Sequence, residues 1–271
     1  MAPARTEEGS VLAFLVTTFV LGWSCWAPVV ASELRLITLP GSVVAALVTA
    51  GLFSPSIGAL TVTARSRGID GLRDLIVQAL HWRVGPQWYV LALLLPVSMR
   101  LIGLAVGVGP AAAFSDVLAL GAWLSAPLAL LTVGLLSSPL GEEVGWRGYL
   151  FPRLQRRVDP AAAAVAVGLI TCAWHAPLFA MSFMPQSHLP YLLFCVRTLA
   201  VAVIAAWLYN RTGSGLLVVI LFHAAQNVGP NSVTVRAETG NLVPYVIAAA
   251  LYLAVALLLL RPLRRSLAWE T

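Results

Sequence analysis

The sequence predicts an all-α fold, a polytopic membrane bundle of about eight transmembrane helices. Composition is the first reason: the 271 residues are 59% hydrophobic and 10% charged, with a mean hydropathy of +0.88, against roughly 25% charged residues in a soluble domain. The second is that apolar stretches of about 20 residues, the length that crosses a bilayer, recur along the whole chain. The third is the placement of charge. The 17 basic residues are all arginine and gather at the ends of the apolar stretches, where they read as topology signals and not as a nucleic-acid surface.

Taken in order, the apolar stretches lie near 10–31, 40–64, 87–108, 118–150, 160–180, 189–209, 213–230 and 242–260. The first resembles a signal peptide, with Val29 and Ala31 as a passable cleavage site. Its apolar run is too long for one and its leading segment holds Glu7 and Glu8, so an uncleaved first span is expected. The fourth exceeds one straight span and contains Pro127 and Pro139, which predicts a kinked helix or a short helix followed by a longer one. Between the second and third spans, residues 65–86 have a basic amphipathic pattern suited to the membrane surface. Cys25, Cys172 and Cys195 each sit in an apolar run without metal-ligand spacing and are expected to be core fillers. No repeat or second domain is visible, so residues 1–271 are expected to form a single integral-membrane domain.

Eight spans place both termini on one side. One set of loops and ends holds Arg5, Arg65, Arg67, Arg73, Arg83, Arg147, Arg153, Arg156, Arg157, Arg211, Arg261, Arg264 and Arg265, whereas the opposite set holds Arg35 and Arg236. The positive-inside rule then puts both termini in the cytoplasm, and the all-arginine, alanine-rich composition suggests a GC-rich bacterium and its plasma membrane. Arg100 and Arg197 fall within spans. They are expected to snorkel or to pair with a buried acid, the alternative being an anchor for a substrate carboxylate.

Ionisable groups at membrane depth are costly and mark functional sites. The string SSPLGEEVGWRGYLFPRL, residues 137–154, supplies Glu142, Glu143 and Arg147. Glu143 and Arg147 are four apart, share a helix face and can form an ion pair. That leaves Glu142, about 100 degrees around the helix, as the carboxylate without a partner. His175 follows in ITCAWHAPLF; His223 and Asn227, again four apart, lie in LFHAAQN. Counted at 1.5 Å per residue from the nearest loop, Glu142 lies roughly 16 Å deep, His175 about 23 Å and His223 about 15 to 18 Å. All fall near the middle of a core of roughly 30 Å, and one shared site is expected. Taken singly, His175, His223 and Asn227 also suit helix packing. Trp146 and Trp174 are expected to pack or to line the cavity, while Trp82, Trp88, His81 and His188 sit near interfaces.

These residue types point to hydrolysis within the bilayer. A carboxylate in an apolar, partly wet cavity has its ionised form destabilised, which suits Glu142 to take a proton from water. His175 can hold that water and pass the proton on, and His223 with Asn227 can donate hydrogen bonds to a tetrahedral oxyanion. No serine-centred elbow or Ser/His/Asp set is present, so direct water attack is expected instead of an acyl-enzyme.

The glutamate string resembles the EExxxR motif of the CPBP family of membrane proteases, which includes the type II CAAX prenyl endopeptidases and the bacterial Abi proteins. His175 resembles the family's second motif and HAAQN its HxxxN motif. The similarity covers roughly residues 40–260. It implies an intramembrane endopeptidase with Glu142 as the activating glutamate and His175, His223 and Asn227 as partners. The implied substrate is a membrane-associated peptide or protein within the lipid bilayer, with no nucleic acid involved. One departure is visible: the second motif commonly starts with phenylalanine four residues before its histidine, where this chain has Thr171.

The family is often called a metalloprotease, and two histidines with a glutamate can make a three-ligand zinc site. His175, His223 and Glu142 are the first candidates, with Glu143 as a substitute, although HExxH is absent. A metal-free glutamate mechanism is the preferred expectation. Two other classes compete: a proton-linked transporter, which should show symmetric broken helices in the two halves, and a bacteriocin-immunity or scaffolding protein without catalysis.

Overall fold

In a computed structural model, which describes residues 3–124, 138–227, 237 and 239–264, the chain is an all-α polytopic bundle. The helices are α1 (Pro3–Glu33), α2 (Gly41–Leu52), α3 (Ser54–Ala79), α4 (Pro86–Gly107) and α5 (Pro110–Leu124). Next come α6 (Ser138–Glu143), a π-helical stretch (Val144–Leu150) and α7 (Phe151–Gln155). Then follow α8 (Pro160–His175), two 3-10 turns (Ala176–Ala180 and Pro185–His188), α9 (Tyr191–Arg211), α10 (Leu216–Asn227) and α11 (Val243–Arg264).

Five helical stretches are long and apolar enough to cross a membrane among the described residues: Val11–Glu33, Pro86–Gly107, Pro160–Ala180, Tyr191–Arg211 and Val243–Arg264. Helices α2 and α3 form a sixth if taken together, though they are bent by 51° at the break between them. The difference from about eight has local causes. The expected seventh span, 213–230, is seen as α10 over Leu216–Asn227, and residues 228–230 lie outside the described residues. Helix α10 begins after Gly213 and Ser214, whose φ values of 59° and 66° end α9 in the left-handed region. The expected fourth span, 118–150, has its middle, residues 125–137, outside the described residues; its ends are the last part of α5 and, from Ser138, α6 with the π-helical stretch.

Side-chain exposure separates a lipid face from a bundle face. On α1, Leu12, Val16 and Val20 are exposed while Phe14 and Trp26 are fully buried. One hydrophobic cluster joins Phe14, Ala59, Trp146, Val203, Phe222 and Tyr252, drawn from six separate segments. Helix α3 breaks at Gly68, where φ is 61°, and beyond the break Ile69, Ile76 and Val77 are exposed. Asp159 caps α8 by accepting bonds from the amides of Ala161 at 2.9 Å and Ala162 at 3.3 Å, with Pro160 in the first turn. Cys172 is buried and Cys25 and Cys195 are half-buried, and all three thiols are free.

The glutamate helix is placed by glycine. Gly141 and Gly145, one turn apart, face the bend between α2 and α3. A Cβ on Gly141 would come within 2.8 Å of the Leu52 carbonyl oxygen, and one on Gly145 within 2.5 Å of the Pro55 carbonyl oxygen. Small residues at this spacing let two backbones approach closely inside a membrane protein. The Ser56 hydroxyl adds a 2.8 Å bond to the Leu140 carbonyl. In sequence the two glutamates between these glycines draw the eye from the GxxxG that seats them.

Candidate active site

Helix α6 and the π-helical turn after it carry the acids and the arginine. Nη1 of Arg147 donates to both oxygens of Glu143, at 2.9 and 3.0 Å. Both side chains are buried, so the pair exchanges water for one another almost completely. A π-helical stretch is uncommon and often accompanies function; here it contains Arg147 and begins directly after Glu143.

His223, on α10, adds a second partner to the same carboxylate. Its Nδ1 lies 2.8 Å from Oε1 of Glu143, the oxygen that Arg147 also engages. A carboxylate oxygen accepts, so Nδ1 carries the proton, and Nε2 can donate only when His223 is an imidazolium. The facing carboxylate is the partner that stabilises that ion. Glu142 is buried and differently placed: Oε1 accepts from the Ser138 hydroxyl one turn earlier, and among the described residues no arginine or histidine is bonded to it.

His175 closes α8. Its Nδ1 is 2.8 Å from the Thr171 carbonyl oxygen. A carbonyl only accepts, so this contact fixes the proton on Nδ1 and leaves the Nε2 lone pair of the neutral ring available. Trp174 and Phe194 flank the ring, with centroids 4.7 and 5.2 Å away. Phe194 comes from α9 and supplies an aromatic neighbour in a motif where Thr171 stands in place of phenylalanine. The Thr171 hydroxyl is turned away, to the Val167 carbonyl at 2.8 Å. Behind them Trp174 packs on Trp26 and Trp146 and donates to Ser54 Oγ at 3.1 Å, while Trp23 donates to the Trp174 carbonyl at 3.1 Å.

Glu142, Glu143, Arg147, His175, His223 and Asn227 all line one cavity of about 250 Å³. Chain segments up to 85 positions apart thus meet in a space large enough for several waters or a short piece of peptide. Ser138, Gln186 and Gln226, none of them a candidate in sequence, line it too. Neutral hydroxyls and amides carry no charge penalty and so leave little signal in an apolar chain.

The zinc expectation meets a geometric obstacle. Among the described residues, which include Glu142, Glu143, His175 and His223, no three His, Cys, Asp or Glu side chains are grouped so as to hold a metal ion. Glu143 Oε1 is already shared by Arg147 and His223. The donor set present does not fit a three-ligand zinc centre.

The two intramembrane arginines diverge. Nε of Arg100 pairs with Oδ2 of Asp116 at 2.9 Å, tying α4 to α5 with both side chains buried. Arg197 instead donates from Nη2 to Oε1 of Gln226 at 2.9 Å, with its guanidinium carbon 5.0 Å from the Tyr252 ring centroid and 5.9 Å from that of Tyr245.

Fold and site together define a polytopic α-helical membrane protein with a buried cluster of acids, imidazoles and amides at the meeting point of several helices. Residues 123–229, which carry all six of the candidate side chains, match the family model for type II CAAX prenyl endopeptidases, Rce1-like. A curated relative, CAAX prenyl protease 2 of Methanococcus maripaludis, is 28% identical over 128 residues, which is 44% of this chain and 47% of the relative. The chain therefore aligns with about half the length of that relative. Both findings support the CPBP family as the one this chain resembles.

Proposed function

We propose that the protein is an intramembrane endopeptidase that hydrolyses a peptide bond of a membrane-associated protein or peptide by Glu142-activated water attack. The family match and the relative's description as a CAAX prenyl protease support the reaction class. The observation that carries the reading is the convergence of Glu142, His175, His223 and Asn227 on one cavity, with Glu143 committed to Arg147 and His223.

In this reading the Glu142 carboxylate takes a proton from a water that the bare Nε2 of His175 also holds. The oxygen of that water attacks the peptide carbonyl carbon. The charge that develops on the carbonyl oxygen is met by Nε2–H of the His223 imidazolium and by the Asn227 amide, a type of stabilisation that commonly contributes the largest single part of acyl-transfer catalysis. Collapse breaks the C–N bond, and the proton taken from water passes through Glu142 or His175 to the leaving amine. Arg147 acts at one remove, holding Glu143, which in turn orients and charges His223.

The donor geometry supports the metal-free form, and the arginine distribution supports placing both termini in the cytoplasm. The test compares peptides from membranes and medium, by mass spectrometry with mapped cleavage ends, in cells carrying the wild-type protein or Glu142→Gln at equal abundance. Cleavage ends present only with the wild type support the reading, and identical end maps sink it.

A further inference from the structure

Beside the catalytic cavity lies a second chamber of about 160 Å³, close to the ~150 Å³ that an engineered cavity needs to hold a benzene-sized group. The two have Gln186, Phe194, Arg197, Gln226 and Asn227 in both walls, so they adjoin. The far side of the second chamber is formed by Tyr245 and Tyr252 of α11 and by the Arg100 end of α4.

Arg197 is the charge at this junction. Among the described residues no carboxylate lies within ion-pair reach of it: Asp116 is on Arg100, Glu143 is on Arg147 and His223, and Glu142 is on Ser138. A guanidinium offers five donors, and the polar groups against it here are all neutral: the amide oxygen of Gln226 at 2.9 Å and the phenols of Tyr245 and Tyr252. An intramembrane cation without a counter-ion is expensive to maintain. Two further groups on the same walls are unsatisfied. Among the described residues, the amide oxygen of Gln186 is buried without a hydrogen-bond partner, and the hydroxyl of Tyr245, whose side chain is almost wholly enclosed, has none beyond its approach to Arg197. Buried polar atoms are rarely left in this condition unless a ligand or water completes them. Rotation of the Gln186 amide presents its NH2 group to the chamber, so donors predominate around the guanidinium.

We propose that Arg197, with Gln186, Gln226 and Tyr245, forms a receptor for a carboxylate of the substrate, held in the chamber next to the reacting peptide bond. This rests on the protease reading of the adjoining cavity and deepens it by fixing what the substrate carries on one side of the cleaved bond. The carboxylate is either the free C-terminus or an acidic side chain. Arg197 is a binding residue and takes no part in proton transfer.

The test is a binding measurement on the full chain carrying Glu142→Gln in lipid nanodiscs, so that turnover does not intrude. Three fluorescein-labelled farnesylated peptides are compared: one ending in Cys-Val-Ile-Ala as the free acid, its C-terminal amide, and an amide whose last residue is glutamate. The expected result is at least about tenfold tighter binding of the free acid than of the amide, a factor worth ~1.4 kcal/mol, with the difference erased by adding Arg197→Gln. Tight binding of the glutamate-ending amide identifies an acidic side chain as the accepted group. Equal affinities for all three peptides, discrimination that survives Arg197→Gln, or no binding of any peptide overturns the proposal. Should Arg197→Gln fail to fold, Arg197→Lys and Tyr245→Phe carry the test. Lysine keeps the charge but loses the fork, so unchanged discrimination in both variants overturns the receptor. In the active protein, Arg197→Lys should raise KM for the free acid with little change in kcat. Carboxylate-selective binding without any wild-type cleavage would count against the protease reading alone, and cleavage of all three peptides with equal KM would count against the receptor alone.

Discussion

Glu143 holds His223 across 80 positions of sequence: Nδ1 of the imidazole sits 2.8 Å from Oε1 of the carboxylate, on the oxygen that Arg147 grips from one helical turn away. The two adjacent glutamates therefore have different duties. One is locked into a charged triad, and the other accepts from a serine hydroxyl and lines the cavity.

Glu143→Gln should consequently damage both fold and activity. The substitution leaves Arg147 buried without its counter-charge, a loss of about 3–5 kcal/mol for a broken buried pair. It also removes the group that favours the His223 imidazolium. Thermal unfolding in detergent, read beside the cleavage rate at a temperature where the variant is still folded, should show both losses.

Gly145→Ala should loosen the glutamate helix without touching any reacting group. Its Cβ would come within 2.5 Å of the Pro55 carbonyl oxygen, and overpacking of this kind costs about 1–3 kcal/mol. A lowered melting temperature with a reduced kcat is expected, and an unchanged kcat would mean that the α6 position tolerates more movement than the site geometry implies.

Thr171→Ala should be nearly silent. The bond that orients His175 comes from the Thr171 backbone carbonyl, and the hydroxyl serves only Val167, so about 1 kcal/mol of stability and little activity are at stake. Phe194→Ala should cost more activity, since it removes a ring 5.2 Å from the imidazole. The ratio of the two cleavage rates checks where the packing of His175 originates.

Exhaustive chelation should leave cleavage intact, with less than stoichiometric metal in the active protein by elemental analysis. Loss of activity on chelation with recovery on adding zinc would show that the cluster rearranges to ligate a metal.

Much of this was legible in sequence, for reasons tied to helical geometry. Glu143 and Arg147 pair because residues four apart share a face, and His223 and Asn227 reach one cavity by the same spacing. The Glu143–His223 contact was not legible, because spacing within one helix says nothing about the rotation of another. The donor role expected of His223 demands an imidazolium once Nδ1 is spent on Glu143, a condition only the folded contact reveals. Hydropathy also missed the 51° bend between α2 and α3 and the stop at Gly213 and Ser214, since apolar character continues across a turn that backbone angles break. The GxxxG of Gly141 and Gly145 was visible but overshadowed by the charges it encloses. Gln186, Gln226 and Ser138 gave no signal, because neutral polar side chains are common enough in membrane helices to pass as packing.

The most direct test of the central claim is the initial rate of peptide cleavage by reconstituted Glu142→Gln against the wild type, at matched insertion and matched thermal stability. A general base contributes roughly 10²- to 10⁴-fold, so a loss of that size with substrate binding retained is the predicted result. A rate within a few-fold of the wild type would contradict the assignment of Glu142 as the base that activates water.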